Sequence, residues 1–201
     1  MDLLIGTGNA GKLHEYEELL SGLPVRLLGL KDVGLGDMEV AEDATTLEEN
    51  ASLKVQAYSQ ASGLITLADD TGLFVDALGG EPGVYPARYG GPGLSAQQRR
   101  QKLLAALDGR VEAERSARFI CVIALANPRT GRTETVRGVC EGRIALAESD
   151  GGSGFGYDAV FIPQGYDITW AHVPLAAKNA ISHRGQAARL IIPIVQRLIE
   201  G

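Results

Sequence analysis

The sequence predicts one mixed α/β domain with two lobes and a cleft between them, and three observations carry that expectation. The chain opens on an apolar run, Leu3 to Thr7, that feeds a glycine-rich loop and then a helical spacing. Apolar runs alternate with capped helical stretches as far as about Leu107. Beyond Phe119 the texture changes to long runs joined by tight turns, the pattern of an antiparallel meander.

Each element has its own signal. Leu3 to Thr7 reads as a buried strand, and Leu13, Tyr16, Leu19 and Leu20 place one apolar face on a helix over Lys12 to Leu20. Val25 to Leu28 is a short strand. Thr46-Leu47-Glu48-Glu49 has capping-box form and starts a helix that runs to about Ser62. Leu64 to Ala68 is a strand ending at Asp69-Asp70, and Ser95 to Gln98 caps a helix that continues to about Leu107. Phe119 to Ala126 and Thr133 to Glu141 are strands joined by the turn Asn127 to Gly131. Gly142-Arg143 permits a second turn into Ile144 to Ala147. Gly151 to Tyr157 is a glycine-rich loop, Ala159 to Ile162 a short strand, and Gly185 to Ile199 a last helix that Pro193 is expected to bend.

Composition narrows the partners. With 201 residues, 45% hydrophobic and 22% charged, the chain is an ordinary globular protein, read as a single domain over 1–201. Its 25 acidic and 19 basic residues give a formal charge of −6, which repels a nucleic-acid backbone. Cys121 and Cys140 lie in apolar runs without zinc-site spacing, as expected in a reducing compartment. No apolar stretch reaches membrane-spanning length and no leader precedes the first strand, so the expectation is a cytoplasmic protein without a membrane partner.

Gly6 to Lys12 reads GTGNAGK and satisfies two phosphate-loop patterns at once. Gly6, Gly8 and Gly11 match a dinucleotide fingerprint, whereas Gly6, Gly11 and Lys12 match a Walker A loop whose final hydroxyl is replaced by Leu13. Both patterns share one physics. Glycines admit the backbone to a phosphate, and a helix N-terminus turns free N–H groups toward the anion.

Four other stretches carry polar chemistry. Asp69 and Asp70 are adjacent carboxylates whose mutual repulsion a cation relieves; Mg²⁺ suits such oxygens together with substrate phosphates, while a solvated Asp-Thr-Gly turn is the plain alternative. Glu42 and Asp43 form a second acidic pair, relevant if the fold brings them opposite Asp70. Phe155, Gly156, Tyr157 and Asp158 combine two aromatics with a carboxylate, suited either to a purine ring or to plugging a core. Lys178 to Arg184, KNAISHR, concentrates Lys178, His183 and Arg184 near the start of the last helix, with Ser182 as its cap. Positive charge there is locally unfavourable unless an anion or an electron-rich oxygen sits beside it.

Taken together, TGNAGK, ENA (Glu49 to Ala51), ADDTGL (Ala68 to Leu73), PGVYPARY (Pro82 to Tyr89), GFGYD (Gly154 to Asp158) and KNAISHRGQA (Lys178 to Ala187) resemble the inosine triphosphate pyrophosphatase family, in order and over nearly the whole chain. The chain departs from the family pattern at Pro86, at Ala159 and over Trp170 to Val173. The resemblance implies a mixed, elongated α/β sheet with two lobes around a central substrate cleft, and a homodimer. It further implies Mg²⁺-dependent hydrolysis of non-standard purine triphosphates (dITP, ITP, XTP) to monophosphate and pyrophosphate, cleansing the nucleotide pool. Carried over by motif, Thr7, Gly8, Asn9, Ala10, Gly11 and Lys12 hold the phosphates. Asp70 is general base and metal ligand, Asp69 assists, and Glu42 is the second metal ligand, with Asp43 as its alternative. Thr71, Phe155 to Asp158, Lys178, His183 and Arg184 contact substrate. A carboxylate at Asp158 and a donor at Arg184 suit the N1–H and O6 of a 6-oxo purine, and adenine mismatches both.

Three rivals compete for the same residues. A nicotinamide-dependent oxidoreductase using Gly6, Gly8 and Gly11 wants an acidic residue near position 29, where Gly29 and Leu30 stand and Asp32 comes late. A P-loop ATPase lacks its Mg²⁺-binding hydroxyl at Leu13. A nucleotide sensor without turnover has no evident use for the paired aspartates.

Overall fold

The computed structural model describes residues 1–152 and 154–200, so Ser153 of the glycine-rich run lies outside the described residues. Its strands are β1 (Asp2–Ile5), β2 (Arg26–Gly29), β3 (Thr66–Val75), β4 (Pro82–Gly83), β5 (Ser116–Asn127), β6 (Arg132–Ile144) and β7 (Phe161–Pro163). The helices are α1 (Ala10–Leu19), α2 (Leu47–Ser62), α3 (Ala96–Ala106), α4 (Leu175–Ile181) and α5 (His183–Glu200), with short 3₁₀ turns between. The strand order is β2-β1-β3-β5-β6-β7, with β4 paired to β3, so the α/β class and the mixed sheet are as expected. β1 runs parallel to β2 and β3, whereas β3–β4 and β6–β7 are antiparallel.

Two compact units make up the chain: Met1–Asp70 with Cys121–Gly138 and His183–Gly201, and Thr71–Ile120 with Val139–Ser182. In the first unit the period-2 alternation of β1 sends Leu3 and Ile5 to one face, against Tyr16, Leu20, Cys121, Ile123, Ile191 and Val195. Leu4 points to the other face, with Leu30 and Tyr58. The core of the second unit gathers Leu73, Val75, Leu103, Leu107, Ile144 and Val160 around an aromatic trio. There Trp170 stacks on Phe119 at 5.2 Å and Phe161 meets Phe119 edge-on at 4.8 Å. The tryptophan that departs from the family pattern is therefore a core residue.

Caps form largely as the sequence specifies. Ser95 and Gln98 exchange reciprocal bonds, so α3 carries a full capping box. Thr46 accepts from the Glu49 N–H, but its own hydroxyl donates to the Glu49 carboxylate, giving a cap of a different form.

The largest departures from the expected elements are in β3, at Gly142-Arg143 and ahead of the last helix. β3 does not stop at Ala68 but continues to Val75, which puts Asp69 and Asp70 inside a strand. It continues because Leu73 and Phe74 pair with Gly83 and Pro82, and because Leu73 and Val75 are core residues. Gly142-Arg143 is not a turn: β6 runs straight through to Ile144, and Gly142 lies so close to the Ile162 carbonyl and the Phe161 ring that no Cβ fits. Leu175–Ile181 forms a separate helix, and α5 begins at His183. Pro193 sits inside α5 without ending it, since burial of Ile191 and Val195 outweighs one lost backbone bond.

Candidate functional site

The first unit builds its polar site from the turn between β1 and α1. At Gly6 a Cβ would stand 2.8 Å from the Tyr58 ring, so that glycine answers to packing. Nothing lies within 4 Å of a Cβ at Gly8, whose missing side chain leaves the loop open. Asn9 is the N-cap of α1, its side-chain oxygen accepting from the N–H groups of Gly11 (2.9 Å) and Lys12 (3.2 Å). Asn9 in turn donates its own N–H to the Thr7 hydroxyl at 3.2 Å. Two of the helix N–H groups expected to face a phosphate are thus engaged by Asn9.

Lys12 projects from the first turn of α1 and places its ammonium 2.9 Å from Asp69. Three positions further along the same helix face, buried Glu15 accepts from Arg184, which enters from the first turn of α5. The other Nη of Arg184 donates to Asp69 at 3.2 Å, and the Cys121 thiol lies 3.7 Å from the same Asp69 oxygen. Burial alone would push the Asp69 carboxyl up, but the charges of Lys12, Arg184 and Lys54 outweigh it and hold it well below the usual range. Asp69 is a fixed anion.

Asp70 is treated differently by its surroundings. Lys54, buried on α2, donates to Asp70 at 3.1 Å and to Glu42 at 2.9 Å. Burial raises the Asp70 carboxyl, the lysines only partly offset it, and the Glu42 charge adds to it, so Asp70 ends above the usual value. Burial also acts against ionised Glu42, yet the charge and hydrogen bond of Lys54 bring that carboxyl below its usual value. The Glu42 loop is pinned by Asn50 of the Glu-Asn-Ala stretch, which accepts from the Ala44 N–H at 3.0 Å and donates to the Ala44 carbonyl at 3.3 Å.

This network fits a hard divalent cation. It sets four carboxylates (Glu15, Glu42, Asp69, Asp70) against three cations (Lys12, Lys54, Arg184), and the buried Asp70 Oδ2 has no hydrogen-bond partner among the described residues. No group of three or more His, Cys, Asp or Glu side chains among the described residues could hold a metal by itself. Two carboxylates completed by substrate oxygens are what Mg²⁺ commonly takes.

The second unit holds the other set of expected residues. Asp158 accepts on one oxygen from the Phe155 N–H at 2.9 Å and from Lys178 at 2.8 Å. The Lys178 ammonium also lies 5.2 Å from the centres of both the Phe155 and Trp170 rings. Tyr157 turns into the core and donates its hydroxyl to the Pro86 carbonyl at 2.8 Å, and burial pushes its phenol up to about 12. Gly154 approaches the Asp158 carboxylate too closely for any side chain, and Gly156 takes φ 62°, in the left-handed region. Thr71 is half-buried at the start of this unit's stretch of β3.

The structure therefore brings Lys12, Asp69 and Arg184 together in one unit, and Phe155, Asp158 and Lys178 in the other. The Lys178 to Arg184 cluster divides at Ser182. Lys178 ends up in the last turn of α4, where its charge suits the helix dipole. His183 and Arg184 are buried in the first turn of α5, against Gly138, where a Cβ would collide with the His183 carbonyl. Arg184, expected to read a 6-oxo group, has its guanidinium on Glu15 and Asp69, because its position falls on the buried stripe of α5. Glu15, Asn50, Lys54 and Cys121 were missed. Asn50 and Lys54 had a visible signal, since both fall, like the buried Ser59, within the stripe Leu47, Ala51, Val55, Tyr58 of the helix.

The nicotinamide reading loses its last acidic candidate, because Asp32 accepts from the Gly29 N–H at 2.8 Å and closes a 3₁₀ turn. No helix among the described residues is long and apolar enough to cross a membrane.

Comparison with known proteins identifies the family. The family model for the Ham1 family matches residues 3–194. A protein of Geobacter sulfurreducens named dITP/XTP pyrophosphatase is 46% identical over 94% of each chain. One of the same name from Oceanobacillus iheyensis is 40% identical over 92% of this chain and 93% of its own. The solved structure of a HAM1 protein from Coxiella burnetii superposes with a TM-score of 0.86 at 36% identity, covering 98% of this chain and 99% of that one. With sequence and fold both shared from end to end, the chain belongs to the Ham1 family.

Proposed function

We propose that the chain is a nucleoside-triphosphate pyrophosphatase that hydrolyses non-standard purine triphosphates, ITP, dITP and XTP, to the monophosphate and pyrophosphate with Mg²⁺ as cofactor. The observation that carries this reading is the geometry of the aspartate pair: Asp69 is bound by Lys12 and Arg184, whereas Asp70 beside it shares Lys54 with Glu42 and keeps a buried Oδ2 without a hydrogen-bond partner among the described residues. The names of the relatives point to the same substrates. In the cell the enzyme would act in the cytoplasm, as a homodimer, to keep such nucleotides out of the pool.

In this reading Asp70 takes a proton from water as its oxygen attacks the α-phosphorus. The bond from that phosphorus to the bridging oxygen breaks, and pyrophosphate leaves with the electron pair. Glu42 and Asp70 would hold Mg²⁺, which when bound neutralises charge on the phosphate oxygens. Lys12 has two N–H bonds to spare beyond Asp69 and turns them to the phosphates, together with the open loop Thr7 to Gly11. Lys54 keeps Glu42 and Asp70 at a fixed separation. His183 contacts substrate from the first turn of α5, and Arg184 serves it by holding Asp69 ionised. In the second unit Phe155 offers a ring to the base, Thr71 lines the approach, Lys178 donates to O6 and Asp158 accepts from N1–H. A buried polar mismatch of this kind rejects adenine by about 10⁴-fold.

The test is product analysis with purified protein and ITP, XTP, GTP or ATP, with and without Mg²⁺. The expected result is monophosphate and pyrophosphate in equal amounts from ITP and XTP, abolished by EDTA. Release of orthophosphate and a diphosphate, or binding without turnover, would contradict the reading.

A further inference from the structure

Arg100, on α3 of the second unit, has no part in any role assigned so far, yet it is tied into the loop proposed to read the base. Its Nη1 donates to the Gly156 carbonyl at 2.7 Å. Its Nε donates to Glu148 at 2.9 Å, and its Nη2 bonds the same carboxylate oxygen. Both partners are largely shielded, with side-chain exposures of 16% for Arg100 and 24% for Glu148, so the pair is stronger than a surface ion pair. Gly156 stands between Phe155 and Asp158 at φ 62°, a conformation in which the carbonyl direction sets how the ring and the carboxylate diverge. A cavity of about 520 Å³, lined by Gln97, Arg100, Gln101, Glu148, Phe155 and Gly156 among others, borders the loop on this side. The Arg100 fork ties the loop to α3 beside that cavity.

We infer that Arg100, locked by Glu148, is a positioning residue for base recognition, fixing through the Gly156 carbonyl the spacing of Phe155 and Asp158. The inference rests on the proposal that this loop reads the purine. It separates binding from chemistry, because the groups proposed to break the phosphate bond all belong to the first unit.

The test measures kcat and KM for ITP and ATP in wild type, Arg100→Leu, Arg100→Lys and Glu148→Ala, with Tm alongside. For Arg100→Leu the KM for ITP is expected to rise about tenfold, the loss of one hydrogen bond from a charged donor, with kcat within about twofold and the ITP:ATP ratio of kcat/KM falling. Arg100→Lys, which keeps one charged donor, should recover part of the ratio. Glu148→Ala leaves the guanidinium in place but untethered, and its KM should rise about threefold. Should Arg100→Leu not fold, Glu148→Ala decides the matter. An unchanged KM and ratio, whatever happens to Tm, would make Arg100 a structural residue and overturn the inference. Wild-type protein that does not hydrolyse ITP would instead remove the functional reading on which it rests.

Discussion

The two units hold their polar residues by different means. In the first, charges are gathered from far apart in the chain: Asp69 is met by Lys12 from 57 residues upstream and by Arg184 from 115 residues downstream. In the second, the contacts that shape the loop are mostly nearer in sequence, Phe155 to Asp158 three residues apart and Lys178 to Asp158 twenty, with glycines supplying the backbone freedom. The first arrangement is electrostatic and exists only in the folded unit. The second is a shaped loop with one donor and one acceptor.

The sharpest way to break the comparison is at Asp70. Asp70→Asn removes the proton acceptor, and ITP hydrolysis at saturating Mg²⁺ is expected to fall by at least about 10³-fold, with circular dichroism unchanged. Activity within a few-fold of wild type would take the chemistry away from the first unit. Next is Arg184→Ala. It leaves Glu15 and Asp69 buried without their shared cation, so about 3–5 kcal/mol of stability should be lost. Turnover of ITP and ATP should fall by the same factor, because Asp69 belongs to the phosphate end. An ITP loss much larger than the ATP loss would return the 6-oxo group to Arg184.

The smallest effect concerns acid. The folded-state pKa of Asp69 is depressed below its ordinary 3.8, so its contribution to stability is fully present above that value and is lost as pH falls below it. Asp69→Asn has no such group, and its Tm should therefore decline less steeply than that of wild type between about pH 4 and pH 2. Parallel declines would show that Asp69 is not the anion described here.

Much of this molecule could be read from the sequence, for identifiable reasons. Local signals such as the Ser95 cap and the apolar run of β1 depend on neighbours alone and are seen in the structure. The extension of β3 through Asp69 and Asp70 was not legible, because it depends on pairing with Pro82–Gly83 and on burial of Leu73 and Val75, and carboxylates ordinarily mark strand ends. Lys12 stood out in the glycine loop and Asp69 and Asp70 as adjacent carboxylates, whereas Glu42 was singled out only through the family resemblance. Their distinct environments did not, since those come from Lys54 and Arg184, whose approach depends on tertiary structure. Arg184 shows the limit most clearly. Its local charge at a helix start called for an anion or an electron-rich oxygen beside it, and the carboxylates of Glu15 and Asp69 that it meets on the buried stripe Arg184, Ala188, Ile191, Val195 come from distant parts of the chain.

The most direct test of the division between the units is the ITP:ATP ratio of kcat/KM, measured in Lys12→Ala and in Lys178→Met. The account predicts that Lys12→Ala lowers both substrates by a common factor and leaves the ratio at its wild-type value, while Lys178→Met collapses the ratio through loss of ITP turnover. A changed ratio in Lys12→Ala together with a preserved one in Lys178→Met would contradict it.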